Sequence, residues 1–256
     1  MRNRTLLDRR RELRSAKPSL SISRNYTRRE FTPRPNDLTP ISRDQLPGTL
    51  DRFMAGLTER YARRVFQRIR ATSRDRAVGG QGERRLAALV FARSFGMSIH
   101  PEGTPCLFNW DGTALNAATE AYVILHEVAH FALAPPARLG LIDFGLGPGP
   151  DTIDRDAAES AVVVSPIERE QDEAAASLLG ILWEASLGQP ALASFIDQNW
   201  LEGLDRSASA HFTTVLAGLR DRGLFSSRPA LAASIAPMGG SAPPHWFGWP
   251  LPPPHR

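Results

Sequence analysis

His126-Glu127-Val128-Ala129-His130 decides how this chain folds and what it can bind. Two imidazoles four residues apart lie one turn apart on a single face of an α-helix and aim at a common point, with a carboxylate beside the first. The run from Ala117 to Leu133 contains no Gly or Pro, Asn116 stands where an N-cap would, and Pro135-Pro136 closes the segment. A helix is therefore expected over about 117–133. Tyr122, Leu125, Val128 and Ala129 give it a core-facing side. Burying two histidines and a glutamate in such a run without a ligand is costly, which favours a metal site over a core helix whose histidines are only hydrogen-bonded.

A catalytic metal needs a third protein ligand and an open position. Carboxylates cluster downstream in Ile167-Glu168-Arg169-Glu170-Gln171-Asp172-Glu173, at the start of a helix expected from Pro166 to about Leu187, with Ser165 as N-cap and Gly188 as terminator. From Glu168, residues Asp172, Ala175, Leu179 and Leu182 follow at helical steps, so Glu168 is the expected ligand and Asp172 an outer partner of a ligating histidine. Ser165-Pro166-Ile167-Glu168 is also a capping box, which would occupy Glu168 locally. A different helix register promotes Glu173, and His211 is the candidate outside this segment.

Upstream, Phe53, Leu57, Tyr61, Val65, Phe66 and Ile69 recur at helical steps from Leu50 under an arginine-rich outer face. That helix ends before Gly79-Gly80-Gln81-Gly82, and another follows over about 83–95. Met97 to Trp110 reads as one or two short strands broken at Pro101 and Pro105. Gly145 to Pro150 is a loop bordering the site; it lacks the Lys-Ser/Thr ending of a phosphate cradle, and its prolines remove donors. A last helix is expected around 210–219. The fold class is α+β and mainly helical: a metal helix packed against a second ligand-bearing helix, with a small sheet.

The 256 residues suffice for one substantial core or two small ones. Residues 1–85 hold 22 Lys/Arg against nine Asp/Glu, a balance of +13, which leaves −9 for the rest behind a net charge of +4. Segment 1–48, rich in Arg, Pro, Ser and Thr, reads as a disordered arm, 49–235 as the metal-binding catalytic domain, and 236–256 as a Pro/Trp-rich tail. The arm suits weak contact with nucleic acid, a ribosome or an acidic protein, and equally a solvated tail. Cys106 is the single cysteine and makes no internal disulfide. No apolar run reaches bilayer-spanning length and the N-terminus is charged where a secretory signal is apolar, so no membrane partner and a cytoplasmic location are expected.

Two chemistries share this ligand set. Zinc would leave a water polarised for attack on a peptide carbonyl, with Glu127 as general base; iron(II) would leave positions for dioxygen and substrate. The motif continues through Phe131, Ala134 and Ala137-Arg138 to Leu141-Ile142-Asp143-Phe144-Gly145. This run resembles the elongation factor P hydroxylase family, in which His-Glu-x-Ser-His-Trp leads to Ala-Arg and then to hydrophobic-Asp-Phe/Tyr-Gly at the same distance. The acidic segment around Glu168, Leu187-Gly188, Asn199 to Gly203 and Arg228 to Ala230 stand in the order of later family landmarks, so the resemblance covers about residues 85–235.

The resemblance implies a non-haem iron enzyme that uses dioxygen to hydroxylate a modified lysine on elongation factor P, a small acidic protein. It carries over His126, His130 and Glu168 as metal ligands, Glu127 as a proton-handling group and Asp143 as a catalytic, site-bordering residue. Asp143 also suits a turn ahead of Gly145. The chain departs from the family at Leu146-Gly147-Pro148, at an apparent insertion over Ala157 to Val164, at Gln171-Asp172-Glu173-Ala174 and in the arginine-rich arm. Glu168 to Asp172 followed by Ala174-Ala175-Ala176 and Leu178-Leu179 also resembles small zinc-dependent peptidases that cleave regulators. The leading expectation is an iron-dependent hydroxylase of a protein side chain, the second a zinc metallopeptidase, and the third a nucleic-acid- or ribosome-binding protein with a structural metal.

Overall fold

A computed structural model describes residues 41–72, 79–149, 151–202 and 207–224. Most of the expected arm over 1–48 and all of the tail over 236–256 lie outside them. The described chain is mainly helical, and none of its helices is long and apolar enough to cross a membrane.

The stretch expected as one helix from Leu50 is two. α1, Leu46–Gly56, carries Pro47 in its first turn, where a missing N–H costs nothing, and buries Leu50 and Phe53. Leu57, fully buried, turns extended and ends it. A Cβ on Gly56 would stand 2.4 Å from Ser209 Oγ, so only glycine lets the end of α1 approach that segment. α2, Arg60–Ala71, buries Ala62, Val65, Phe66 and Ile69 and turns Arg60, Arg63 and Arg64 outward, the stripe that a 3.6-residue period dictates. α3, Gln81–Ser94, starts where Glu83 accepts a 2.9 Å hydrogen bond from the Gly80 amide.

Residues 97–120 hold no helix, and no strand occurs among the described residues. The expected small sheet reduces to isolated bridges of Leu115 with Ile99 and with Trp110. Side chains do the work of a ladder here. Asp111 Oδ1 accepts from the Thr113 and Ala114 amides, both at 2.8 Å, while Oδ2 lies 2.7 Å from His100 Nε2. Burial pushes the Asp111 carboxyl up, yet the bonds from Thr113, Ala114 and His100 outweigh it and hold it at about 2. Cys106 is half-buried and bonds to the Thr104 carbonyl.

α4, Ala121–Leu133, carries the His-Glu-Val-Ala-His motif. It begins four residues later than expected: Glu120, extended, precedes it, and Asn116 Oδ1 instead accepts from the Ala118 amide in a separate turn. α5, Pro136–Leu139, follows at once; then come the tight turn Ile142–Gly145, α6, Arg155–Ser160, and the long α7, Pro166–Ser186. α8, Ala191–Asp197, and α9, Ala208–Asp221, complete the described chain.

α4 and α7 form the centre, with α3 packed on α4 and with α8 and α9 on α7. One aromatic cluster, Phe53, Phe66, Phe195, Phe212 and Trp200, joins α1, α2, α8 and α9. A second, Phe91, Phe95 and Trp183, pins α3 to α7. From Ala175 to Ala185 nearly every residue of α7 is buried. A Cβ on Gly180 would meet the backbone N and Cα of His126 at 3.3 Å, so the two helices touch backbone to backbone at the motif itself.

Glu184, near the end of α7, is 2% exposed, and its Oε2 has no partner. Burial pushes its carboxyl up to about 7, against the bond from Ser194. Because the folded chain holds this proton more tightly than the unfolded one, stability is lost as pH rises from about 4.5 through 7 and stays lost above. The loss is about 3 kcal/mol. Glu184→Gln is neutral at every pH and is expected to raise the melting temperature at pH 8 while leaving it nearly unchanged at pH 4. Equal shifts at both pH values in thermal melts would contradict this.

Candidate metal centre

The helical period places His126 and His130 one turn apart on α4, with their Nε2 atoms 2.9 Å apart and their rings at 85°. The carboxylate that joins them comes from α7. Glu173 Oε2 lies 3.4 Å from His126 Nε2 and 3.5 Å from His130 Nε2. Three donors each about 2.1 Å from one cation stand roughly 3–3.5 Å apart, so this triangle fits a single ion. Two imidazoles and a carboxylate also suit zinc or iron(II) chemically. Side-chain exposure grades from 6% at His130 through 23% at His126 to 42% at Glu173.

Electrostatics prepare the triad. Burial would raise the Glu173 carboxyl, but hydrogen bonds and charge from both histidines prevail and hold it well below the usual carboxylate range. Burial likewise opposes charge on His126, yet Glu173 and the nearby Glu127 outweigh it and raise its pKa. His130 is held below the ordinary histidine value by burial and by the charge on His126. In the metal-free cluster a proton therefore sits more readily on His126 than on His130, and a binding cation would displace it.

The sequence pointed to Glu168 as the third donor; the structure does not bring it to the histidines. Glu168 is exposed and closes the capping box of α7, its Oε2 accepting from the Ser165 amide at 2.9 Å and from the Ser165 hydroxyl at 2.8 Å. Those two bonds lower its pKa. Glu173 lies about 140° further round the helix, on the side that meets α4. His211 stacks on Trp200 at 5.3 Å, away from the donor triangle.

Glu127 is buried on α4, where its Oε1 accepts a 3.2 Å hydrogen bond from Asn109 Nδ2. Burial pushes its carboxyl up to about 8; the charge of His126 pulls it down, and Asp143 and Glu173 push it further up. Asp143 reaches the same region through unusual backbone. Asp143, Phe144 and Gly145 take φ values of 43°, 55° and 69°, three left-handed residues in succession, of which two are not glycine. Such conformations cost on the order of 1–3 kcal/mol each and persist only where the surroundings enforce them. Here the Asp143 amide donates to the Trp110 carbonyl at 2.9 Å, and Phe144 stacks between Trp110 and His130. Asp143 Oδ2 accepts from Thr152 Oγ1 at 2.8 Å, while the buried Oδ1 has no partner. Burial raises the Asp143 pKa.

The Gly145 to Pro150 segment is tied down rather than loose where it is described. Arg169 Nη2 donates to the Pro148 carbonyl at 3.1 Å, Arg155 Nη1 to the Gly149 carbonyl at 2.8 Å, and residues 143–148 are buried. Arg138 on α5 donates to Asp172 on α7. Asn109 and Thr152 had no signal in the sequence, since each meets its carboxylate from a separate loop; Glu173 had one in Ala176 and Gly180, the small residues on its face. No protein-family model, curated protein or solved structure matches the chain.

Proposed function

We propose that the chain is a metal-dependent enzyme, a non-haem iron hydroxylase of a protein side chain whose substrate is an acidic protein of the elongation factor P type. The observation that carries the metal centre is the His126, His130 and Glu173 triangle: three donors from two tightly packed helices, with one side toward solvent. Iron over zinc is supported by the position of Asp143, since the Asp-Phe-Gly segment by which the sequence resembles the hydroxylases forms the strained turn beside the motif helix.

An iron(II) ion held by these donors supplies the reactivity toward dioxygen that hydroxylation of a carbon requires, with two further electrons from a co-reductant. The chain's own residues do the rest. His126 and His130 are offered as neutral imidazoles once the cluster proton has left, and Glu173 adds the negative charge that favours a dication over a proton. Without a metal, burial favours the protonated form of Glu127, and its Asn109 bond fixes which way the carboxyl points. Phe131, Phe144 and Trp110 form an apolar wall on the His130 side that keeps water from it.

A zinc peptidase would use the same three donors and requires Glu127 ionised as general base. Metal content after anaerobic purification without added metal separates the two, together with dioxygen uptake and the mass of the translation factor. Iron, with dioxygen consumed and one oxygen atom gained by the substrate protein, is the expected result. Zinc with peptide cleavage would install the peptidase, and protein that takes up neither metal would overturn both.

A further inference from the structure

We infer that Arg138 and Asp172 form a strut that sets the aim of Glu173 at the histidine pair, so that both are positioning residues of the metal centre. The inference rests on the metal-centre reading above and deepens it.

Packing alone does not hold the part of α7 that carries the third donor. The continuously buried run of that helix begins only at Ala175; residues 165–168 are exposed and 172–174 half-buried. Glu173 therefore sits at the edge of the core, where the burial of the helix gives way to exposure. A long helix gripped at one end can swing and rotate at the other, and a carboxylate displaced by an ångström no longer completes the donor triangle.

Two arginine contacts reach this end, and they differ in what they join. Arg169 ties the first turn to the Pro148 carbonyl, a loop. Arg138 ties Asp172 to α5, which is linked to the histidine helix only by Ala134 and Pro135. The strut thus joins the ligand-bearing end of α7 to the short helix that follows the histidine helix after two residues. Asp172 immediately precedes Glu173 and projects about 100° from it, while Gly180 lies about 20° from Glu173 two turns on. Contact at Gly180 fixes the separation of α4 and α7, and a pull on Asp172 from the side fixes rotation about the helix axis.

The pair is suited to hold a direction. Its side chains are 12% and 17% exposed, so water screens them little, and a planar guanidinium offers its donors in a fixed fork. Arg138 Nη1 is buried without a partner, an unfavourable arrangement that packing alone gives no reason to keep.

The test is Co(II) titration of the full chain by calorimetry and by the visible absorption of the bound ion. Wild type is compared with Arg138→Met, Asp172→Asn, the double variant and Arg138→Lys. Each of Arg138→Met and Asp172→Asn is expected to weaken Co(II) binding by about 10–100-fold and to change the absorption of the bound ion, as loss of an outer-shell partner does. The double variant should cost no more than either single one, and Arg138→Lys should recover part of the affinity. Single variants that melt earlier yet bind Co(II) with wild-type affinity and absorption would overturn the strut and leave the metal centre standing. Additive losses in the double variant would overturn it as well. Absence of Co(II) binding by the wild-type chain would overturn the metal centre and this inference together. If Arg138→Met fails to fold, Asp172→Asn and Arg138→Lys carry the same comparison.

Discussion

Glu173→Ala is expected to weaken zinc or Co(II) binding by more than about 100-fold, beyond what loss of an outer-shell partner costs, while Glu168→Ala leaves binding unchanged. The asymmetry follows from geometry. Glu173 Oε2 is within 3.5 Å of both ring nitrogens, whereas both acceptor bonds of Glu168 Oε2 go to Ser165. Glu168→Ala should instead fray the start of α7, since a lost cap costs on the order of 1 kcal/mol. Glu173→Ala carries a second signature without any metal. With its acceptor gone, His126 loses the leading contribution that holds its pKa up, so the metal-free variant should titrate His126 at lower pH. Histidine resonances followed by NMR through a pH series would show it, and isothermal titration gives the affinities. Equal loss of metal in both glutamate variants would count against the donor triangle.

The second large effect is remote from the donors in sequence. Gly180→Val should lower stability by about 1–3 kcal/mol and weaken metal binding as well, because a branched side chain there must enter the backbone of His126. A single Cβ already stands at 3.3 Å from His126 N and Cα. Gly180→Ala is the milder probe: it gains up to about 1 kcal/mol of helix propensity and pays for it by moving α4 a few tenths of an ångström. Spreading the helices moves Glu173, two turns away on the same face, from the histidines it faces. A valine variant with lowered melting temperature and unchanged affinity would mean that the donors adjust independently of helix spacing.

The same two small residues explain what was hidden in the sequence. The two-histidine helix was legible because its pattern is local, and α7 was legible from Ser165, Pro166 and Gly188 at its ends. Which face of α7 meets α4 was not. From Ala175 onward the helix is buried nearly all round, so apolar spacing points everywhere, and the stripe through Asp172, Ala175, Leu179 and Leu182 was one choice among several. Ala176 and Gly180 mark the contact face, because only small side chains let two helices approach so closely. The break after Gly56 is hidden for a related reason: apolar residues on both sides keep helical spacing, and the close approach of Gly56 to Ser209 is a distant contact. Strand propensity in Met97 to Trp110 is realised only as isolated bridges, beside a local turn in which Asp111 accepts from the Thr113 and Ala114 amides while its other oxygen meets His100.

The gradient of exposure from His130 to Glu173 separates permanence from exchange. Both imidazoles belong to a helix buried by its neighbours, so they remain in place whether or not an ion is present, unlike the ligands of a small domain that folds only around its metal. Glu173 sits at the rim, where the burial of α7 gives way to exposure. An ion held here would enter and leave on the side of that one carboxylate, while the buried histidine helix would keep its two donors in place.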